Sequence, residues 1–237
     1  MVRAPSLCGV ILAAGQSSRM GRPKALLPWR QGSFLSSAIQ TLSPFSDLVI
    51  VVAGSNAEEL RPTVDSLGAF LVVNPEPERG QFSSLQIGLQ DILNRGRDSA
   101  ILTLVDRPAP ELATISYLHD QFLPHINDGA WALIPSFQGK HGHPIFLTRE
   151  LIGAFLSAPA TFNAREIEHQ HQDRLVYVEV NDPLVAANID TPDDYRKLLG
   201  AATSLSHSSG GNIGRSASSP KYVHPLRTAA SNTAPIF

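Results

Sequence analysis

The stretch Leu7-Cys8-Gly9-Val10-Ile11-Leu12-Ala13-Ala14-Gly15-Gln16-Ser17-Ser18-Arg19-Met20-Gly21-Arg22-Pro23-Lys24 decides how this chain is read. Its first six residues form an apolar run without polar alternation, the pattern of a strand covered on both faces. The run ends at Ala13 to Gly15, where small side chains let the backbone turn tightly and aim its N–H groups at a ligand. Gly21 repeats that freedom, and Arg19 and Lys24 add two fixed positive charges. On residue chemistry alone the segment is either a polyphosphate cradle or a tight turn carrying two solvated cations. Two familiar loops are excluded: the Gly-Lys-Ser/Thr of a Walker A sequence is absent, and glycines at 15 and 21 do not have dinucleotide-fingerprint spacing.

Working outward, similar apolar runs recur at Leu48 to Val52, Phe70 to Val73, Ala100 to Val105, Trp131 to Pro135 and Leu175 to Val180. Between them, Phe34 to Leu42, Ala57 to Leu67, Ser83 to Leu93, Glu111 to Phe122, Arg149 to Leu156 and Asn163 to His171 place apolar residues at helical spacing. Such alternation predicts an α/β fold with a mostly parallel sheet and right-handed crossovers. Ligands of such sheets sit beyond the carboxyl ends of the strands, which is where the small-residue loop falls.

Composition narrows the function. The chain has 237 residues, 19 Lys+Arg, 21 Asp+Glu and one cysteine. Cys8 alone makes neither an internal disulfide nor a cysteine zinc site. A net charge of −2 supplies no long-range attraction for polyanions, so nucleic acid is not expected as a partner. No apolar run approaches the roughly 20 residues of a membrane span, and the N-terminal stretch lacks a secretory layout, so a cytoplasmic protein without a membrane partner is expected. Charge is uneven: residues 201–237 hold three basic and no acidic side chains, while residues 1–200 carry a net −5. The last segment is rich in Ser and Gly and is expected to be disordered, with the folded domain ending near Gly200.

Four further segments carry chemistry. Gly80-Gln81-Phe82-Ser83-Ser84-Leu85 opens a predicted helix, where serines and free N–H groups either meet a polar ligand or cap the helix itself. Asp106 closes an apolar strand in Leu104-Val105-Asp106-Arg107-Pro108, which puts a hard oxygen donor at the ligand edge, although an Asp there also forms turns. Gly139-Lys140-His141-Gly142-His143-Pro144 reads as a turn entering the next strand or as a substrate loop. In Asn188-Ile189-Asp190-Thr191-Pro192-Asp193-Asp194-Tyr195, Thr191 and Pro192 suit a helix N-cap and first turn, and Asp190 is not needed for that cap.

Together these segments resemble the MobA-like nucleotidyltransferases, whose first loop is close to Leu-Ala-Ala/Gly-Gly, three variable residues, Arg-Met-Gly and a following Lys. The resemblance extends to Gly80 to Leu85, the Asp-x-Pro at Asp106, the Gly-His-Pro at Gly142 and the Asp-Thr-Pro at Asp190. It departs at Val105 and Arg107, where many members have Gly and Gln. It implies a Rossmann-like, doubly wound α/β domain of the nucleotide-diphospho-sugar transferase type. It also implies transfer of a nucleotidyl group with release of pyrophosphate. Ala13, Ala14, Gly15, Arg19, Gly21, Lys24, Ser83 and Ser84 would bind the nucleotide, and Asp106 and Asp190 would hold Mg2+. Arg19, Lys24 and Asp106 would be catalytic, while Gly142 and His143 would bind the acceptor.

Within the family, Ala-Ala-Gly at 13–15 resembles the branch that makes molybdopterin cytosine dinucleotide. The expected substrates are then CTP and molybdopterin, with a recipient molybdoenzyme as a further partner. Two alternatives stand beside this reading: a nucleotidyltransferase acting on a sugar phosphate or other phosphate monoester, and a non-catalytic carrier of the cofactor.

Overall fold

Alternation along the strands divides the apolar side chains between two cores. Leu7 and Ile11, Val49 and Val51, Ile101 and Leu133 point to one face, and Cys8, Val10, Ile50, Ala100 and Leu102 to the other. The computed structural model describes residues 6–15, 20, 21, 23–159 and 162–208, with the main chain alone over 202–208. Its strands are β1 (Leu7–Leu12), β2 (Pro28–Trp29), β3 (Gly32–Ser33), β4 (Leu48–Ala53), β5 (Phe70–Val73), β6 (Ser99–Leu104), β7 (Ala132–Phe137), β8 (Lys140–His141), β9 (Ile145–Leu147) and β10 (Leu175–Glu179). The helices are α1 (Phe34–Leu42), α2 (Ala57–Ser66), α3 (Gln81–Asn94), α4 (Leu112–Asn127), α5 (Arg149–Ser157), α6 (Ala164–Gln170) and α7 (Pro192–Ser208).

The main sheet runs β10-β7-β9-β6-β1-β4-β5, with β8 paired to β7. β1 is parallel to both β4 and β6, β4 to β5, and β10 to β7. Helices α1, α2 and α4 contribute Leu35, Leu60 and Leu118 to the first core, and α3, α5 and α6 contribute Leu89, Ile152 and Ile167 to the second. The doubly wound, mostly parallel α/β architecture expected from the sequence is therefore present. Two short strands break the parallel rule: β9, three residues long, lies antiparallel between β6 and β7, and β8 is antiparallel to β7. No helix among the described residues is long and apolar enough to cross a membrane.

A smaller third cluster joins the chain's two ends. Leu27, Trp29 and Phe34, around the β2–β3 hairpin, pack against Ile189, Tyr195 and Leu198 at the start of α7. The Tyr195 hydroxyl also donates to the Pro28 carbonyl at 2.7 Å. Helix α7 continues to Ser208, so the boundary expected at Gly200 falls inside a helix. Residues 209–237, most of the segment expected to be disordered, lie outside the described residues.

Close packing of α3 on the sheet depends on Gly88. A Cβ there would lie 2.8 Å from Val52 Cγ2 and 3.1 Å from Val10 Cγ1. Overpacking of a filled core costs about 1–3 kcal/mol. Gly88→Val is expected to lower the urea midpoint accordingly, with an unchanged denaturant slope; an unaltered midpoint would show that α3 can lift from the sheet without loss.

Candidate active site

Strand order makes a crevice at β1. The chain leaves β1 through α1 toward β4 on one side, and returns from β5 through α3 to β6 on the other. Loops that diverge at such a reversal leave space above the strand ends. The space here is a cleft of about 330 Å³, lined by Leu12, Ala14, Gly15, Lys24, Pro77, Gly80, Gln81, Ser84, Leu104, Val105, Asp106 and Asp190. Six of the residues expected from sequence to form a site thus share one cavity: Ala14, Gly15, Lys24, Ser84, Asp106 and Asp190.

Main-chain bonds fix the floor. Ala13 N–H donates to Val52 O at 2.8 Å, and Val105 N–H donates to Leu12 O at 3.0 Å, extending the ladder past both strand ends. The Asn56 amide donates to Ala13 O at 2.9 Å, and its Oδ1 accepts from Gly54 N at 3.0 Å. Ala13 is consequently part of the sheet, 2% exposed and outside the cleft lining, while Ala14 and Gly15 reach it. A Cβ on Gly54 would sit 3.1 Å from Ala14 O and 3.0 Å from Pro77 Cβ, so the loop after β4 closes tightly on this turn and a side chain there would push it back by a few tenths of an ångström.

The α3 wall is set by a residue that sequence reading gave no role. Asn74, 2% exposed at the end of β5, donates through Nδ2 to both Ser83 Oγ and Ser84 Oγ at 2.9 Å. Its Oδ1 accepts from Glu76 N at 2.9 Å. Ser84 lines the cleft, and accepting from Asn74 leaves its own O–H proton unspent. Ser83 does not line it: its hydroxyl donates to Gly80 O at 2.8 Å and serves the helix start. Ser83, expected as a nucleotide contact, thus has its hydroxyl proton engaged at the helix start, because Oγ three residues into a helix can reach back to the capping carbonyl. No local pattern marks Asn74, since its bonds are made with the next element.

The two expected metal carboxylates meet around Lys24. Its Nζ donates to Asp106 Oδ2 at 3.3 Å and to Asp190 Oδ1 at 3.0 Å, with the lysine side chain only 11% exposed. Asp190 arrives there because Ile189 N–H donates to Asp106 O at 3.0 Å, stitching the two loops together. Asn188 Nδ2 donates to Asp190 Oδ2 at 2.7 Å. Below it, Thr191 and Asp194 form a reciprocal cap: Asp194 N–H donates to Thr191 Oγ1, and Asp194 Oδ2 accepts from Thr191 N and Oγ1 and from Asp190 N. Those bonds, led by the Thr191 hydroxyl, hold the Asp194 carboxyl below the usual carboxylate range.

Arg107, the residue after Asp106, adds a half-buried cation that is outside the cleft lining but feels both carboxylates. Its Nη1 donates to Ala187 O at 3.3 Å, and its Nε is buried with no partner among the described residues. Burial lowers the pKa of this guanidinium, and the negative charges of Asp106 and Asp190 work against that shift. Two carboxylates and two cations therefore balance at this corner of the cleft.

Not every expected residue joins them. Gly142 and His143 are buried away from the cleft: Gly142 N–H donates to Pro135 O, His143 N–H to Val185 O, and His143 Nδ1 lies 3.4 Å from Leu102 O. A Cβ on Gly142 would fall 1.9 Å from Val185 O, so this glycine exists for backbone packing. Gly142 and His143, expected at the acceptor, are thus held by main-chain bonds beside β9 and are not brought together with Lys24, Asp106 and Asp190 in the cleft lining. Gly21, at φ +66°, is exposed and outside the cleft lining. Arg19 lies outside the described residues.

The donor set fits a divalent cation. Asp106 and Asp190 present hard oxygens around one point, and Asp106 Oδ1 is buried with no hydrogen-bond partner among the described residues. Two ligands leave the remaining positions to phosphate and water, and among the described residues no cluster of three or more His, Cys, Asp or Glu could hold a metal alone.

A cleft at the switch point with a small-residue turn, a buried lysine and paired carboxylates defines a nucleotide-handling α/β protein. Residues 9–175 match the MobA-like NTP transferase domain, and the chain belongs to that family of nucleotidyltransferases. It is 29% identical over 189 residues to the molybdenum cofactor cytidylyltransferase of Escherichia coli, covering 78% of this chain and 92% of that one. It is 28% identical to a protein named nicotine blue oxidoreductase from Paenarthrobacter nicotinovorans, covering 82% and 97%. A molybdenum cofactor guanylyltransferase of Xanthomonas euvesicatoria is 25% identical, covering 81% and 93%. Among solved structures, Rv0371c of Mycobacterium tuberculosis in complex with manganese superposes with a TM-score of 0.66 at 25% identity, covering 83% of this chain and 99% of that one.

Proposed function

We propose that this protein transfers CMP from CTP to the phosphate of molybdopterin and releases pyrophosphate. The observation that carries the proposal is the Lys24 ammonium seated between Asp106 and Asp190 beside the Ala14-Gly15 turn. An acceptor phosphate is already anionic near neutral pH, so no protein nucleophile is required. Its oxygen forms a bond to the α-phosphorus as the bond from that phosphorus to the α–β bridging oxygen breaks, and the electron pair leaves with pyrophosphate. Catalysis of this kind is mostly positioning and charge stabilisation.

In that scheme the Ala14-Gly15 backbone and Ser84 orient the nucleotide, and Lys24, with Arg19 from the same loop, stabilises charge on the leaving pyrophosphate. Asp106 and Asp190 would hold Mg2+, which supplies Lewis-acid neutralisation of phosphate oxygens when bound. Asn188 and the Thr191–Asp194 cap keep Asp190 aimed at the cleft. The enzyme would act in the cytoplasm.

Choice of CTP rests on Ala14, supported by the 29% identity over 78% of the chain to a cytidylyltransferase, while guanylyltransferases match at 25% over 81% and at 36% over 44% of it. A methyl group at position 14 narrows the base end of the cleft and favours a pyrimidine. In the presence of Mg2+, CTP is expected to raise the melting temperature more than GTP does; stronger stabilisation by GTP would reverse the assignment. The transfer itself is tested by pyrophosphate release from CTP with purified molybdopterin. Release with a sugar phosphate instead would keep the enzyme class and change the acceptor, and binding without release would identify a carrier.

A further inference from the structure

We propose that Lys24 is an exchangeable counter-ion: its ammonium occupies the point between Asp106 and Asp190 until the nucleotide arrives, and only then does the metal take that point. The inference rests on reading the cleft as a metal–nucleotide site, and adds an order and an energetic coupling to it.

Charge and distance carry the argument. Lys24 Nζ stands 3.3 Å from Asp106 Oδ2 and 3.0 Å from Asp190 Oδ1, so it lies where a cation bridging both carboxylates must lie. A divalent ion entering beside the ammonium would meet a like charge at contact distance, with the lysine buried and the two carboxylates half-buried. Arg107 adds a second positive charge that acts on both carboxylates from outside the cleft lining, held by Ala187 O and buried at Nε. With two cations already matching two carboxylates, metal alone gains little from binding. A triphosphate changes the balance by bringing several negative charges into the same cleft. Lys24 can then swing from the carboxylates to phosphate oxygens on its four-carbon stem, keeping a partner throughout.

The consequence is strong reciprocal coupling. Nucleotide tightens metal, and by linkage metal tightens nucleotide by the same factor, which for coupled sites is about 5–150-fold. Pre-assembly of metal on the empty enzyme is disfavoured, so pyrophosphate and metal leave together as Lys24 returns.

Water-proton relaxation with Mn2+ tests this, because enhancement requires the ion to be immobilised on protein. Wild-type protein with Mn2+ alone should give little enhancement, and with Mn2+ plus CTP a large one. Lys24→Met removes the competing charge at nearly constant volume and should bind Mn2+ alone at least tenfold more tightly than wild type. Arg107→Gln should shift the same way by a smaller factor. If wild type takes up Mn2+ alone as tightly as Lys24→Met, the exchange is overturned and the metal site stands. If no protein gives enhancement even with CTP, the underlying metal–nucleotide reading falls as well, and the exchange with it. A second measurement needs no variant: in lysine labelled with 15N at Nζ, the Lys24 resonance should move on adding Mg2+ plus CTP and stay in place on adding Mg2+ alone. Movement with Mg2+ alone would refute the order of events.

Discussion

Asp106→Asn is expected to reduce turnover by at least two orders of magnitude while the protein remains folded. Loss of a partner one shell away from a metal already costs about 10–100-fold in affinity or activity. Asp106 is closer than that, since it offers the buried, unpartnered Oδ1 and shares Lys24 with Asp190. Asparagine keeps the shape of the side chain, and the stitch between the loops uses the Asp106 main-chain carbonyl, which the substitution leaves in place. Lys24 retains Asp190, so its ammonium is not stranded. Pyrophosphate release at saturating CTP, measured with a melting curve, separates the two effects. Wild-type turnover in this variant would remove Asp106 from the metal site and with it the proposed chemistry.

Much of the scaffold was legible because its strands are apolar runs, with central β1 and β6 buried on both faces and edge strand β5 partly exposed. The bounds of β1 and β5 and of α1 coincide with the apolar runs at Leu7 to Leu12, Phe70 to Val73 and Phe34 to Leu42. Residues 145–147 carry too few positions to display a period, so the strand expected after the turn at 139–144 had no bounds or direction in sequence; its antiparallel place is decided by the gap between β6 and β7. The same insertion explains His143. A Gly-His-Pro sequence suggested a substrate loop or a turn entering a strand, and the strand that follows holds the imidazole at 1% exposure beside Leu102 O.

The site was legible by residue type and less so by partnership. Lys24, Asp106 and Asp190 were each marked by their motifs, yet their meeting depends on Ile189 bonding to the Asp106 carbonyl and on a cluster joining Trp29 and Phe34 to Tyr195. These contacts span more than 80 residues of chain, and no local pattern encodes them. Asn74, Asn56 and Gly88 escaped notice for the same reason: each is defined by what packs on it from another element. The net charge of −2 was similarly uninformative, since the cleft is governed by Lys24 set directly against Asp106 and Asp190.

Lys24→Ala is expected to lower kcat by about 10²–10³-fold, the effect of losing one donor aimed at developing charge, or about 2.7–4 kcal/mol. The same substitution should act in the opposite sense on metal, because the ammonium that competes for Asp106 and Asp190 is gone. A residue that merely braced the cleft would weaken metal binding and turnover together. One that served only as a ground-state nucleotide anchor would raise KM and leave kcat unchanged. The expected pattern is distinct from both: tighter metal alone, a lower kcat, and a smaller change in KM, since the Ala14-Gly15 turn and Ser84 still hold the nucleotide. Steady-state pyrophosphate release across CTP concentrations, paired with Mn2+ titration of the nucleotide-free variant, reads all three quantities. An unchanged kcat would take Lys24 out of the transition state even if the metal affinity rose as expected.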